Sequence, residues 1–247
     1  MHRVLIESLA HHPSGQRELP QEAAHYLARV RRARIGDAVT VFDRAGWHCR
    51  GVVARIDAAG TVTLQLDAAQ QLAPQPPLVI ALLPLIKGER FDWALEKLTE
   101  VGVDEVIIWH AARAVVKLDD ARAATRMVRW QTICDEGARQ AGRAAPPLVR
   151  GPMELPGALA ALPADEAAGL RLYGSPEATT GLAPLLSAPR PPRSVCIATG
   201  PEGGLAPSEC AALSAAGFTP VSFGPRILRA ETAPLVAVAM VRQQTAT

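Results

Sequence analysis

At 247 residues the chain is long enough for one large domain or two ordinary ones, and an apolar fraction of 49% supplies a sizeable core. No stretch approaches the roughly 20 apolar residues of a membrane span, and Met1-His2-Arg3-Val4-Leu5-Ile6-Glu7 reaches an acid too early for a signal peptide, so the expected protein is globular, cytoplasmic and independent of membranes. Cys49, Cys134, Cys196 and Cys210 are too dispersed for a zinc or redox pair and are expected to be reduced packing residues, and a net charge of +2 excludes nothing by itself.

In chain order, short β-rich runs come first: Arg3 to Glu7, Ala38 to Phe42, His48 to Ile56 and Thr61 to Leu66, with turn residues between them. With one helix expected over Gln21 to Arg32, they predict a small β-barrel domain spanning 1–72. Ala73-Pro74-Gln75-Pro76-Pro77 then fixes the backbone in an extended form and reads as a linker, 73–77. Beyond it, 78–247 alternates strands and helices. Leu78 to Leu83 is continuously apolar, as a strand buried on both faces is, and Arg90 to Val101 carries an apolar helical stripe stopped by Gly102. Val103 to Trp109 is the next strand and Arg122 to Gly142 a long helix, whose continuity Gly137 and Gly142 put in question. Leu170 to Tyr173, Val195 to Thr199 and Phe218 to Phe223 are further strands, and the last helix is expected over Ala230 to Gln243. This order predicts an α/β domain with a mostly parallel sheet, covered on both faces, with ligands at the carboxyl ends of its strands.

Two loops fall at such ends. Thr199-Gly200-Pro201-Glu202-Gly203-Gly204-Leu205 follows a strand, exposes backbone groups and leaves room beside them for a flat cofactor, although a merely structural turn would look the same. Pro207 and Glu209 suit the start of the helix that follows, while Ala206 stands where a hydroxyl residue would cap it better, a loss of about 1 kcal/mol. The second loop, Phe223-Gly224-Pro225-Arg226-Ile227-Leu228-Arg229-Ala230-Glu231, puts two arginines and an acid before an apolar helix. An ordinary ion pair of Arg229 with Glu231 is the alternative to a catalytic role. No P-loop or dinucleotide fingerprint is present, and no metal-ligand spacing. The arginines are clustered: Arg29, Arg31, Arg32 and Arg34 fall together, and 111–150 carries eight basic residues against four acids. Such clusters track a phosphate backbone or are solvated surface.

Gly-Pro-Glu-Gly-Gly-Leu at 200–205 with Gly-Pro-Arg-Ile-Leu-Arg-Ala-Glu-Thr-Ala at 224–233 resembles the paired motif of the RsmE family, small-subunit (16S) ribosomal RNA uridine-N3 methyltransferases of the SPOUT superfamily. Lys87 to Asp92, Lys97 to Gly102, Arg113 with Lys117, Arg129-Trp130, Glu136 to Arg143, and Arg3 with His25 to Arg31 extend the resemblance over nearly the whole chain; Phe223 departs from it, standing where a leucine is usual. The resemblance implies a PUA-like β-barrel followed by a trefoil-knotted domain, a homodimer, S-adenosyl-L-methionine as cofactor and ribosomal RNA or the small subunit as substrate. It implies that Tyr173, Thr199, Gly200, Pro201, Glu202, Gly203, Gly204, Phe223, Gly224, Ile227, Leu228 and Arg229 hold the cofactor. Arg229 and then Arg226 are the expected cations at the uridine, and Glu231 or Glu202 accepts the proton or orients an arginine. Arg3, Arg29, Arg31, Arg32, Arg34, Lys87, Arg113, Lys117, Arg139 and Arg143 become the candidates for RNA contact. A SPOUT enzyme acting on transfer RNA or ribose, and a ribosome-binding module without catalysis, are the competing readings.

Overall fold

The computed structural model describes residues 1–116, 120–163, 169–187 and 192–245. They form two compact units, Met1–Pro74 with Ala138–Pro146, and Gln75–Gly137 with Pro147–Thr247.

The first unit is built on strands β1 (His2–Leu5), β2 (Gly15–Glu18), β3 (Ala38–Phe42), β4 (Trp47–Ile56), β5 (Val62–Leu66) and β6 (Gln70–Gln71), with helix α1 (Gln21–His25). They pair in the order β1-β3-β4-β5-β2, with β6 added to β4; β1 runs parallel to β3 and the other pairs are antiparallel. Period-two burial shows why β5 is a strand, since Val62, Leu64 and Leu66 face the core while Thr63 and Gln65 do not. Val4, Leu9, Leu27, Val39 and Val41 complete that core.

The helix expected to reach Arg32 stops early. After His25 the chain winds as a π-turn, Tyr26–Val30, closed by the Arg31 N–H donating to the Tyr26 carbonyl at 2.9 Å, and Arg32 takes a left-handed φ of 53°. The wider turn keeps Leu27 fully buried while Arg29, Arg31, Arg32 and Arg34 remain exposed. Segment 138–146 joins this unit through side chains: the Arg3 guanidinium lies 4.6 Å over the Phe42 ring and donates to the Arg143 carbonyl, and Arg139 lies 4.1 Å over the Tyr26 ring.

The second unit alternates β7 (Leu78–Pro84), α2 (Glu89–Val101), β8 (Glu105–His110), α3 (Asp120–Ala141), β9 (Leu148–Glu154), α4 (Leu155–Ala160), β10 (Gly169–Gly174), α5 (Leu182–Leu186), β11 (Ser194–Ala198), α6 (Pro207–Ala215), β12 (Thr219–Val221) and α7 (Thr232–Thr245). The last residues of α3 belong to the first unit. All its strand pairs are parallel, in the order β12-β10-β11-β7-β8-β9. Along β7, Val79, Ala81 and Leu83 belong to one core layer with residues of α2 and α7, and Ile80 and Leu82 to another with residues of α4 and α6. Burial on both faces is what makes this strand apolar throughout.

Gly102 ends α2 in the left-handed conformation. The doubt over α3 resolves differently at its two glycines. Gly137 lies inside the helix, where a Cβ would stand 3.1 Å from Thr99 Cγ2, so it permits close approach to α2; Gly142, at φ 75°, lies just past the helix end. The strand expected over Phe218 to Phe223 is limited to Thr219–Val221. The last helix begins at Thr232 rather than Ala230, because the Arg229 carbonyl accepts the first helical N–H groups, from Thr232 and Ala233, at 2.9 Å each. Arg242, on α7, donates to the Gly102 and Pro77 carbonyls at 2.7–2.8 Å and pairs with Asp104, whose carboxylate also accepts the Val79 N–H at 2.8 Å.

Candidate functional site

The adjacent strands β12, β10 and β11 end on one cavity of about 670 Å³, within the usual range of small-molecule sites. Its walls are residues 174–176, 199–205, 221–224 and 226–230, with Arg90 and Ala233. The two loops singled out in the sequence are thus brought together, as neighbouring parallel strands deliver their C-terminal loops to one edge.

The first loop is held tight. Its Gly204 N–H donates to the Pro201 carbonyl at 2.8 Å, and Gly204 takes φ 69°. At Gly200 a Cβ would lie 2.9 Å from the Leu205 nitrogen, so no other residue fits there without opening the loop. Thr199 ends the preceding strand with its N–H on the Leu82 carbonyl at 3.2 Å; its hydroxyl is buried at the cavity and has no protein partner among the described residues. A buried hydroxyl in that state is a ready donor or acceptor for a bound molecule. Ala206 offers no cap to α6, but Glu209 reaches back and accepts the Ala206 N–H at 2.7 Å, which preserves half of a capping box.

The second loop is more open. Arg226 and Ile227 are exposed, and the side chain of Arg229 is 77% exposed while Glu231 is buried. Arg229 Nη1 and Glu231 Oε1 are 4.0 Å apart, and Glu231 Oε2 has no partner among the described residues. An ordinary ion pair therefore accounts for little of this arrangement: the cation stands in water and the acid does not. Arg90, from the start of α2, approaches Glu202 at 3.8 Å, both partly exposed.

Of the residues expected at the cofactor, Tyr173 is packed in the core and does not line the cavity; Gly174, Ser175 and Pro176 just after it do. Glu231 also lies outside the lining. Gly174 is needed where it is, since a Cβ there would stand 2.6 Å from Phe223 Cε2. The ring that replaces the usual leucine is accommodated by the missing side chain opposite. Arg90, Gly174, Ser175, Pro176 and Ser222 were not anticipated, and the turn signal Gly174-Ser175-Pro176 after an apolar strand was the available clue.

The expected RNA-contacting residues divide. Arg29, Arg31, Arg32 and Arg34 are exposed together on the first unit, and Lys87 is exposed on the second. Arg3 and Arg139 rest on aromatic rings, and burial lowers the Arg3 pKa. Arg143 is half-buried, Arg113 binds loop carbonyls through its guanidinium, and Lys117 lies outside the described residues. The four cysteines form no disulfide; burial pushes the thiols of Cys49 and Cys196 up to about 11, so neither serves as a thiolate nucleophile. Among the described residues no metal-ligand cluster of three or more His, Cys, Asp or Glu occurs, and no helix is long and apolar enough to cross a membrane.

A family model described as an RNA methyltransferase domain matches residues 73–242, and one described as an RNA methyltransferase PUA domain matches 19–65. The ribosomal RNA small subunit methyltransferase E of Mycobacterium bovis is 35% identical over 217 residues, covering 87% of this chain and 82% of that protein. Its counterpart in Bacillus subtilis is 29% identical over 226 residues, covering 91% and 88%. Among solved structures, the ribosomal RNA small subunit methyltransferase E of Neisseria gonorrhoeae, bound to S-adenosyl methionine, superimposes with a TM-score of 0.84 at 27% identity, covering 98% of this chain and 97% of that one. With α/β architecture, an N-terminal PUA domain and two motif loops on one cavity, the chain belongs to the ribosomal RNA small subunit methyltransferase E family, RNA methyltransferases of the SPOUT type.

Proposed function

We propose that this chain methylates N3 of a specific uridine in small-subunit ribosomal RNA, with S-adenosylmethionine as donor. The observation that carries the reading is the convergence on one cavity of a glycine loop with a buried, unpartnered Thr199 hydroxyl and a loop with two exposed arginines. The cavity fits a donor of this kind: residues 199–205 and 222–224 line it, four of them glycines that present only backbone, and Thr199 offers a hydroxyl that burial makes costly to leave unbonded. The bound donor supplies an electrophilic methyl group on a cationic sulfur. Residues 199–204, Phe223, Gly224, Ile227 and Leu228 hold and orient it.

Uracil N3 is an imide N–H, protonated and non-nucleophilic near neutrality. Its activation requires removal of the proton and stabilisation of the charge spread onto O2 and O4. Arg229 supplies that cation, with Arg226 beside it, since both guanidinium-bearing residues line the cavity and are open to an incoming base. Glu202, exposed at the cavity wall, accepts the proton or positions a water that does, and buried Glu231 orients Arg229 once substrate excludes water. In-line displacement makes alignment of the reacting atoms a large share of the rate. Arg29, Arg31, Arg32 and Arg34 bind phosphates.

A trefoil knot and a homodimer belong to the same reading. Both rest on the family resemblance of the two motif loops that meet at the cavity. Work on ribosomal subunits places the protein in the cytoplasm. The test is incubation with labelled S-adenosylmethionine and either undermodified small subunits or transfer RNA, followed by nucleoside mapping. The expected product is N3-methyluridine in small-subunit RNA. Label on a ribose, or on transfer RNA alone, refutes the substrate assignment, and absence of transfer to any RNA points instead to a binding module.

A further inference from the structure

We propose that Arg113 and Glu209 are positioning residues for donor binding, forming a clamp that ties the 200–205 loop to the segment after β8. The proposal rests on the reading of that loop as the donor's cradle.

Glu209 is a carboxylate only 7% exposed, and both its oxygens are used. Oε2 accepts the Ala206 N–H at 2.7 Å and closes the start of α6; Oε1 accepts the Ala112 N–H at 2.7 Å, from a different loop. The residue after Ala112 makes the return connection. Arg113 Nη1 donates to the Gly203 carbonyl at 3.1 Å and to the Leu205 carbonyl at 3.3 Å. Its Cβ lies where a side chain on Gly203 would need to be, 3.1 Å from that imagined Cβ, so Gly203 lets the arginine lie flat on the loop. Three hydrogen bonds thus cross between the two segments, all charge-assisted and all made to backbone.

A loop with glycines at 200, 203 and 204 has many backbone conformations available when free, and a ligand that needs one of them loses affinity for every other that is populated. Fixing the loop from outside removes that loss. Arg113 is exposed, so its role in global packing is small, yet its guanidinium is held against the carbonyls of 203 and 205 rather than extended toward solvent. The basic cluster of 111–150 marks this residue as a phosphate contact; the geometry points to the loop instead.

The experiment measures S-adenosylmethionine binding by calorimetry and RNA binding by filter retention. Wild-type protein is measured first; if it does not bind the donor, the reading of the cradle fails and the clamp with it. Arg113→Ala is expected to raise the donor Kd about tenfold, from loss of two charge-assisted bonds, with RNA affinity held within about twofold. Arg113→Lys, which keeps the charge and N–H donors but on a shorter stem without the guanidinium's planar geometry, falls between. Glu209→Gln keeps the shape but turns an amide NH₂ toward one of the two N–H groups, and its donor Kd rises similarly while the KM for RNA is unmoved. RNA affinity lost in Arg113→Ala with donor Kd unchanged makes Arg113 a phosphate contact and overturns the clamp. So does an unchanged donor Kd in both Arg113→Ala and Glu209→Gln.

Discussion

Arg229 and Glu231 lie close in sequence but in opposite surroundings, the arginine open at the cavity and the acid buried behind it. A cation that acts on developing charge contributes to turnover more than to donor binding. Arg229→Ala is therefore expected to lower kcat by about 10²-fold or more, in line with loss of one charge-stabilising group, with donor Kd changed by less than about threefold. Equal loss of donor affinity would instead place Arg229 among the donor's ligands. Gly174 gives a second test at this scale. Its missing Cβ makes room for Phe223, so Gly174→Ala must push the ring aside, at a cost of about 1–3 kcal/mol for such overpacking. Donor affinity should fall, and Gly174→Ala combined with Phe223→Leu should recover it; a double variant as weak as the single one shows that the ring is not what Gly174 accommodates. Residue roles of this sort were only half legible. Gly200 and Gly204 announced a tight loop, because glycine is what such a backbone requires. Nothing in the sequence told Arg113, turned onto carbonyls, from Arg31, turned to water, since charge does not reveal where a long side chain ends.

The same contrast runs through the elements. β7 and β5 were legible because burial on two faces or on one face writes itself as a continuous or an alternating apolar run. β2 was missed because Gly-Gln-Arg-Glu has no apolar alternation and is held by its pairing with β5. β9 was missed because it contains Gly151 and Pro152, which its edge position and a shifted register tolerate. The π-turn at Tyr26–Val30 leaves no periodic signal, being one turn long. Arg242 shows what ties elements once they exist. It reaches from α7 to the Gly102 and Pro77 carbonyls and to Asp104, which holds the first residues of β7, so the last helix is fastened at the start of the unit. The pair is mostly buried, with both side chains 17% exposed, and Arg242→Ala removes the ion pair with Asp104 together with four hydrogen bonds to the Gly102, Pro77 and Gln75 carbonyls. Stability should drop by about 2–3 kcal/mol in urea unfolding, with Arg242→Lys recovering only part because an ammonium cannot span the same acceptors. An unchanged midpoint would show that α7 is held by its apolar face alone.

Over the whole molecule, net charge is only +2, too little to draw the protein to RNA as a uniform body. Affinity must come from where charge is gathered, and one exposed gathering is on the first unit, at Arg29, Arg31, Arg32 and Arg34, while the cavity belongs to the second. Binding and chemistry should then separate by mutation. Each arginine that neutralises a phosphate releases counterion and adds about 0.7 to the magnitude of the slope of log K against log salt on single-stranded RNA. Replacing both Arg31 and Arg32 by alanine is expected to reduce that magnitude by about 1.4 and to raise the KM for RNA, with kcat and donor Kd unchanged. The change leaves the local packing in place: Leu27 and Ala33 carry it, and both arginine side chains are already in solvent. The discriminating measurement is a salt titration from low to near-physiological ionic strength, wild type beside the double variant. Parallel lines would make the cluster ordinary solvated surface and move the search for the RNA path to Lys87 and the second unit.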